Sequence, residues 1–267
     1  MKNNKTEVLN TTLTNIQKIA DLKNKFNTST PFKHIVIDNF LETDLAKNIA
    51  DSFPTIDSMK TKYKGLNENK AEDSSFENFS ESIQELNHFI NSGYFTEWIS
   101  SITGFEGLQS INDRLGAGLH QGGNNSFLDI HIDYNIHPVK KLHRKLNLII
   151  FFNEEWGTDW GGLLELWDKK NCFEKIVPTF NRMVLFECNE ISYHGYDFIS
   201  CAENITRRSY YHYFFCAIPK GLSYHDTVFL IKPNDSIIKK VLTGSKEFIK
   251  NKIKYFFFKV GFIKYLK

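Results

Sequence analysis

In the segment Leu128-Asp129-Ile130-His131-Ile132-Asp133-Tyr134 a histidine and an aspartate stand two residues apart in a run with β-strand character. Side chains alternate faces along a strand, so His131 and Asp133 project to one side. An imidazole and a carboxylate on one face are two thirds of the two-His-one-carboxylate triad that holds non-haem Fe(II) and leaves positions open for substrate and oxygen. Zinc would also accept this pair together with a further histidine. The best-placed third ligand is His194 in Ser192-Tyr193-His194-Gly195, which follows the apolar run 183–186. The gap between Asp133 and His194 leaves room for the intervening strands of a jelly roll. His137 and His143 are rivals, but both sit in a charged, turn-like stretch. His120, one strand upstream, is placed to line the same pocket.

A second chemical signal lies at Thr206-Arg207-Arg208-Ser209, which opens an aromatic run. Arg207 and Arg208 must face opposite ways, so only one can enter a barrel, and Arg207 shares its face with Ser209. 2-Oxoglutarate chelates iron through its keto oxygen and adjacent carboxylate, and its far carboxylate then needs a fixed cation. Arginine suits that role because its planar fork pairs bidentately with a carboxylate and stays charged when buried. The arginine favours iron over zinc.

These residues need elements to carry them. Short β-rich runs recur at 113–121, 126–134, 144–153, 162–167, 173–178, 182–187 and 207–217, separated by Gly, Asn, Asp and Pro. Such spacing implies a sandwich or barrel rather than βαβ units. Upstream, residues 1–28 carry a helical apolar pattern. Residues 31–41 read as a strand running into a helix capped near Thr43, and 81–103 as one or two helices. Residues 58–80, rich in Lys, Asn, Glu and Ser, read as a mobile loop. The expected class is α+β with a mainly β core, divided into 1–110, a core at 111–233 and a basic helix at 234–267.

Length suffices for one large domain with a buried core. The overall charge of +2 singles out no partner. Its distribution is uneven: from Lys239 to Lys267 nine Lys and one Glu give +8, leaving about −6 elsewhere. In 246–267, Ile249, Ile253, Phe256, Phe257, Val260 and Ile263 form one helical stripe among lysines, so a peripheral membrane contact is one expectation. No nucleic-acid motif accompanies the lysines, and nucleic acid is not an expected partner. Four cysteines without zinc or redox spacing and an N-terminus without an apolar core lead to an expected cytoplasmic location, membrane-associated if the tail docks.

Taken in order, residues 31–41, Gly118-Leu119-His120-Gln121, His131-Ile132-Asp133, residues 146–153, Trp160-Gly161-Gly162, His194-Gly195 and Arg207-Arg208-Ser209 make the chain resemble the Fe(II)/2-oxoglutarate-dependent dioxygenases, within them the prolyl 4-hydroxylase-like group. The resemblance spans roughly 30–233. It implies a double-stranded β-helix, iron on His131, Asp133 and His194, and Arg207 rather than Arg208 on the 2-oxoglutarate tail, assisted by Ser209. It also implies O2 as co-substrate and ascorbate (vitamin C) as reductant. Relatives often place a tyrosine where this chain has Phe151. Asn147 has the same parity and could supply a polar contact to co-substrate or substrate. Halogenating cousins lack the metal carboxylate, so Asp133 favours hydroxylation. The expected reaction is hydroxylation of an aliphatic C–H, first of all on a prolyl residue of a protein. A sugar or lipid-linked glycan in surface-polysaccharide assembly is the alternative substrate, and a non-catalytic jelly-roll binding protein is the alternative class.

Overall fold

Residues 146–152 are apolar at every position but one because their strand is buried on both faces. Leu146, Leu148, Ile150 and Phe152 point to one side and join the helices there. Phe151 points to the other, into a separate cluster with Phe32, Leu164, Leu166, Val184 and Phe186. In a computed structural model that describes residues 8–232 and 235–259, this strand lies near the centre of a large antiparallel sheet.

In chain order the strands are β1 (His34–Ile37), β2 (Thr61–Lys64), β3 (Glu68–Asp73), β4 (Gln109–Ser110), β5 (Ala117–Gly122), β6 (Phe127–Ile132) and β7 (His143–Phe151), then β8 (Leu164–Trp167), β9 (Cys172–Ile176), β10 (Arg182–Glu187), β11 (Tyr193–Tyr196), β12 (Arg207–Cys216) and β13 (Val228–Phe229). They pair in the order β1-β10-β7-β12-β5-β3-β6-β11-β8-β9, with β2 on β3, β4 on β12 and β13 on β6. Strand β3 bonds β5 through Ala71–Asp73 and β6 through Glu68 and Asn69, so the sheet curls over at this point. The result is a double-stranded β-helix, an α+β architecture with a β core.

The helices α1 (Ile16–Thr28), α2 (Thr43–Asp51), α3 (Glu81–Ile90) and α4 (Gly93–Thr103) cover the outer face. Local chemistry sets their starts. The side chains of Asn15, Ser80 and Ser92 each accept a hydrogen bond from a backbone N–H in the first turn of α1, α3 and α4. The α2 helix departs from expectation: Thr43 is its first residue, Glu42 its N-cap, and no side chain caps it. Burying Phe26, Phe40, Ile49, Phe95, Trp98 and Ile99 against the sheet locks the barrel's back wall. A fifth helix, α5 (Ile237–Lys259), follows the barrel. Val260 and Ile263 of the expected tail stripe lie outside the described residues.

Residues 58–80 correct the expectation of a mobile loop. Thr61–Lys64 and Glu68–Asp73 form a hairpin that pairs into the main sheet. Loop-like composition misled because these strands carry charges that pair with one another: Lys70 Nζ lies 2.5 Å from Glu72 and 3.4 Å from Glu68. The two carboxylates outweigh burial and keep the Lys70 ammonium charged.

Candidate metal centre and co-substrate pocket

His131 and His194 are direct cross-strand partners on β6 and β11, with ring centroids 4.4 Å apart. Strand β6 ends at Ile132, so Asp133 is the first residue beyond it, yet its carboxylate still turns to the histidine side. His131 Nε2 lies 3.7 Å from Asp133 Oδ1, and His194 Nε2 lies 3.6 Å from Oδ2. One donor atom from each residue falls within 4.8 Å of the others. Each ring directs Nδ1 at the carbonyl two residues upstream, Asp129 O at 2.9 Å and Ser192 O at 3.4 Å. That contact fixes the tautomer and leaves the Nε2 lone pair facing the gap between the three residues. Burial, reinforced by the neighbouring His131, pulls the His194 pKa down to about 3, so its imidazole is neutral and free to ligate at pH 7. Close approach of β11 to β6 depends on Gly195, where a Cβ would lie 2.5 Å from Leu128 O.

The ligand carboxylate has an unforeseen partner. Burial opposes ionisation of Asp133, but Arg144, together with the two imidazoles, holds its pKa well below the usual range. Arg144 Nη1 is 2.7 Å from Asp133 Oδ2, and its Cζ sits 3.6 Å from the ring centroids of both Tyr134 and Tyr213. The contact is an ion pair without hydrogen-bond alignment, so the guanidinium donors remain unsatisfied among the described residues. Alternation along β7 would send residue 144 opposite to 147. A bulge intervenes: Phe214 pairs with Leu146 and Phe215 with Arg144, which skips Lys145 and swings Arg144 inward. No sequence pattern gives that away.

Asn147 does face the cavity. Its polar contact goes to Asp133 Oδ2 (3.2 Å), and its own Oδ1 is buried without a partner. Phe151 lies in the inner apolar cluster.

The two arginines separate as parity requires. Arg208 turns outward to Ala50 O of α2 and to Thr206. Arg207 turns inward, buried, with Nε donating to Gly162 O at 2.7 Å and Cζ 4.8 and 4.4 Å from the Phe151 and Tyr196 rings. Gly161 and Gly162 have φ of +69° and +67°, and a Cβ on Gly161 would meet Phe198 O at 2.1 Å, so the glycine pair is what presents that carbonyl. No carboxylate pairs with Arg207 among the described residues. Burial pulls its pKa from 12.5 to about 10, and only the Tyr196 phenol opposes the fall. A buried guanidinium without a counter-ion is a site made for an anion. Ser209, also buried, and His120 line the same cavity. Burial keeps His120 neutral, with Nε2 3.4 Å from the Tyr196 hydroxyl and Nδ1 unpartnered.

The rival histidines are elsewhere. His137 pairs with Asp113 at 3.1 Å and accepts the backbone N–H groups of Val139 and Lys140. His143 borders a smaller hollow and contacts Cys216 Sγ.

Triad and arginine share one cavity of about 370 Å³, whose outer walls include Tyr63, Lys70, Glu72, Tyr211 and Lys250. The residues fit an iron and 2-oxoglutarate pair: three hard and borderline donors converge from one side, the other side opens to the cavity, and an unpaired cation waits in it.

Residues 117–215 match the family model of the 2OG-Fe(II) oxygenase superfamily, a stretch that contains all four of these residues. The chain is 25% identical over 171 residues to the mouse (Mus musculus) prolyl 3-hydroxylase OGFOD1; the match covers 61% of this chain and 29% of that protein, so the chain spans less than a third of that relative. Among solved structures, a Trichoplax adhaerens prolyl hydroxylase in complex with a hypoxia inducible factor peptide fragment superposes with a TM-score of 0.55 at 18% identity, covering 74% of this chain and 91% of that one. The viral collagen prolyl hydroxylase of Paramecium Bursaria Chlorella virus-1 gives 0.50 at 12% identity, covering 72% and 99%.

Proposed function

We propose that this chain, whose residues 117–215 match the family model of the 2OG-Fe(II) oxygenase superfamily, is an Fe(II)- and 2-oxoglutarate-dependent enzyme that hydroxylates an aliphatic C–H bond of a prolyl residue in a protein. The observation that carries the reading is Arg207, a buried guanidinium without a counter-ion among the described residues, in the cavity of the His131–Asp133–His194 cluster. The named relative, a prolyl 3-hydroxylase, supports the substrate class. In this reading His131, Asp133 and His194 hold the iron, while Arg207 and Ser209 hold the far carboxylate of 2-oxoglutarate.

The bound iron and co-substrate would supply oxygen activation and C–H cleavage. The chain's own residues do the rest. Backbone carbonyls orient the two imidazoles. Arg144 and Asn147 fix the Asp133 carboxylate by way of one oxygen, Oδ2. The apolar wall of Phe151, Leu164 and Phe186 keeps water from the inner end of the cavity.

The test is incubation of the Fe(II)-loaded protein with 2-oxoglutarate, ascorbate, oxygen and proline-containing peptides, read by tandem mass spectrometry. One oxygen added on proline, matched by succinate, is the expected result. Succinate stimulated by polyhydroxylated glycans but by no peptide would replace the substrate class.

A further inference from the structure

The outer face of α5 carries the wrong chemistry for a surface helix. Ile237, Ile238, Val241, Leu242, Ile249, Ile253 and Phe256 are between 49% and 80% exposed. From Ile238 on, they recur at three- and four-residue steps, with Ser245 completing the register, so they form one stripe along the helix. Ile231, also exposed, lies beside Gly244.

The opposite face is polar, and it is the one that meets the barrel. Lys239 pairs with Asp129 at 2.7 Å, and Lys254 pairs with Asp226 at 2.9 Å. Lys250 donates to Thr227 O at 2.7 Å, and Asn67 donates to the buried Thr243 hydroxyl at 3.2 Å. Phe258 stacks on Tyr224 with centroids 4.3 Å apart. A helix packed for stability buries its apolar stripe and solvates its lysines; α5 does the reverse.

We propose that this stripe docks onto the surface of an anionic lipid bilayer. Charge selects the occupant. The segment 239–267 carries nine Lys and one Glu; with Lys239, Lys250 and Lys254 turned to the barrel, the other six Lys against the one Glu give a net +5, which attracts a negative surface and disfavours a second copy bearing the same charge. No described helix is long and apolar enough to cross a membrane, so the contact is interfacial. Lys250 and Lys254 line the candidate cavity from the inner side of the same helix. Docking therefore holds a helix that lines the cavity against the lipid surface. The inference does not depend on the oxygenase reading.

The experiment is vesicle co-sedimentation of the full chain with phosphatidylcholine alone and with phosphatidylcholine containing phosphatidylserine. A double variant, Ile253→Glu with Phe256→Glu, tests the stripe. Ile16→Glu, an exposed position on α1, is the control for an added charge. Circular dichroism and the unfolding midpoint verify that each variant folds. The expected result is binding to the anionic vesicles at least about tenfold tighter than to neutral ones, weakened by salt, lost in the double variant and kept in the control. Equal binding by the double variant would overturn the proposal, as would no binding to anionic vesicles. A concentration-dependent dimer abolished by the same substitutions, without vesicle binding, would overturn it in favour of an interface between copies.

Discussion

Replacing Arg207 with Met separates ligand binding from fold stability. Burial lowers the Arg207 pKa from 12.5 to about 10. Both the folded and unfolded states are protonated at neutral pH, so the folded state carries the whole cost there and sheds it only as pH rises through 10. At 1.36 kcal/mol per pKa unit the cost is about 3 kcal/mol. Methionine removes that charge and also the bond to Gly162 O, whose loss costs about 1 kcal/mol. The ligand-free variant is therefore expected to be as stable as the wild type, or up to about 2 kcal/mol more so. Its 2-oxoglutarate affinity should collapse, because truncating one side of a buried charge pair costs about 2–5 kcal/mol, or roughly thirty- to several-thousand-fold. Calorimetric titration of the metal-loaded protein reads the affinity, and urea unfolding without ligand reads the stability. Arg207→Met binding 2-oxoglutarate within about threefold of wild type would refute the anion site. A ligand-free destabilisation of more than about 2 kcal/mol would refute the claim that the charge is uncompensated.

Arg144→Met leaves the Asp133 carboxylate buried without its cation, so the metal-free protein should lose about 3 kcal/mol in urea unfolding, and added Fe(II) should restore most of it. Gly161→Ala forces a side chain into positive φ and against Phe198 O, and should cost about 1–3 kcal/mol while weakening 2-oxoglutarate binding through the displaced Gly162 carbonyl. His34, 2.6 Å from Glu174, has its pKa raised above 6.5: burial opposes this, but the Glu174 and Phe32 contacts prevail. Its contribution, under about 1 kcal/mol, is complete below that value and lost as pH rises through the folded pKa. His34→Gln should flatten the dependence of the unfolding midpoint on pH above the ordinary histidine value of about 6.5.

The sequence made the β core legible wherever side-chain pattern and burial agree. Runs 148–152 and 183–186 are apolar because both faces are covered, and the structure makes them neighbours in the sheet. His131, Asp133 and His194 could be proposed from strand parity and turn context, and the structure brings them together. What stayed hidden depends on departures from regularity. Arg144 enters the cavity through a bulge that reverses parity, which a period-two pattern cannot register. The hairpin Thr61–Lys64/Glu68–Asp73 looked like loop because its charges cancel in pairs that only the fold assembles, although Gly65 and Asn67 marked a turn. Asn147 was placed on the correct face, but its hydrogen bond to Asp133 follows from the turn after Ile132 and not from β7 itself.

The most direct test of the account is succinate formation by protein purified without oxygen and then supplied with Fe(II), ascorbate, 2-oxoglutarate and air, with Asp133→Ala and Arg207→Ala alongside. The account predicts slow turnover without added substrate in the wild type and none in either variant. Turnover in the wild type that survives both substitutions would contradict it.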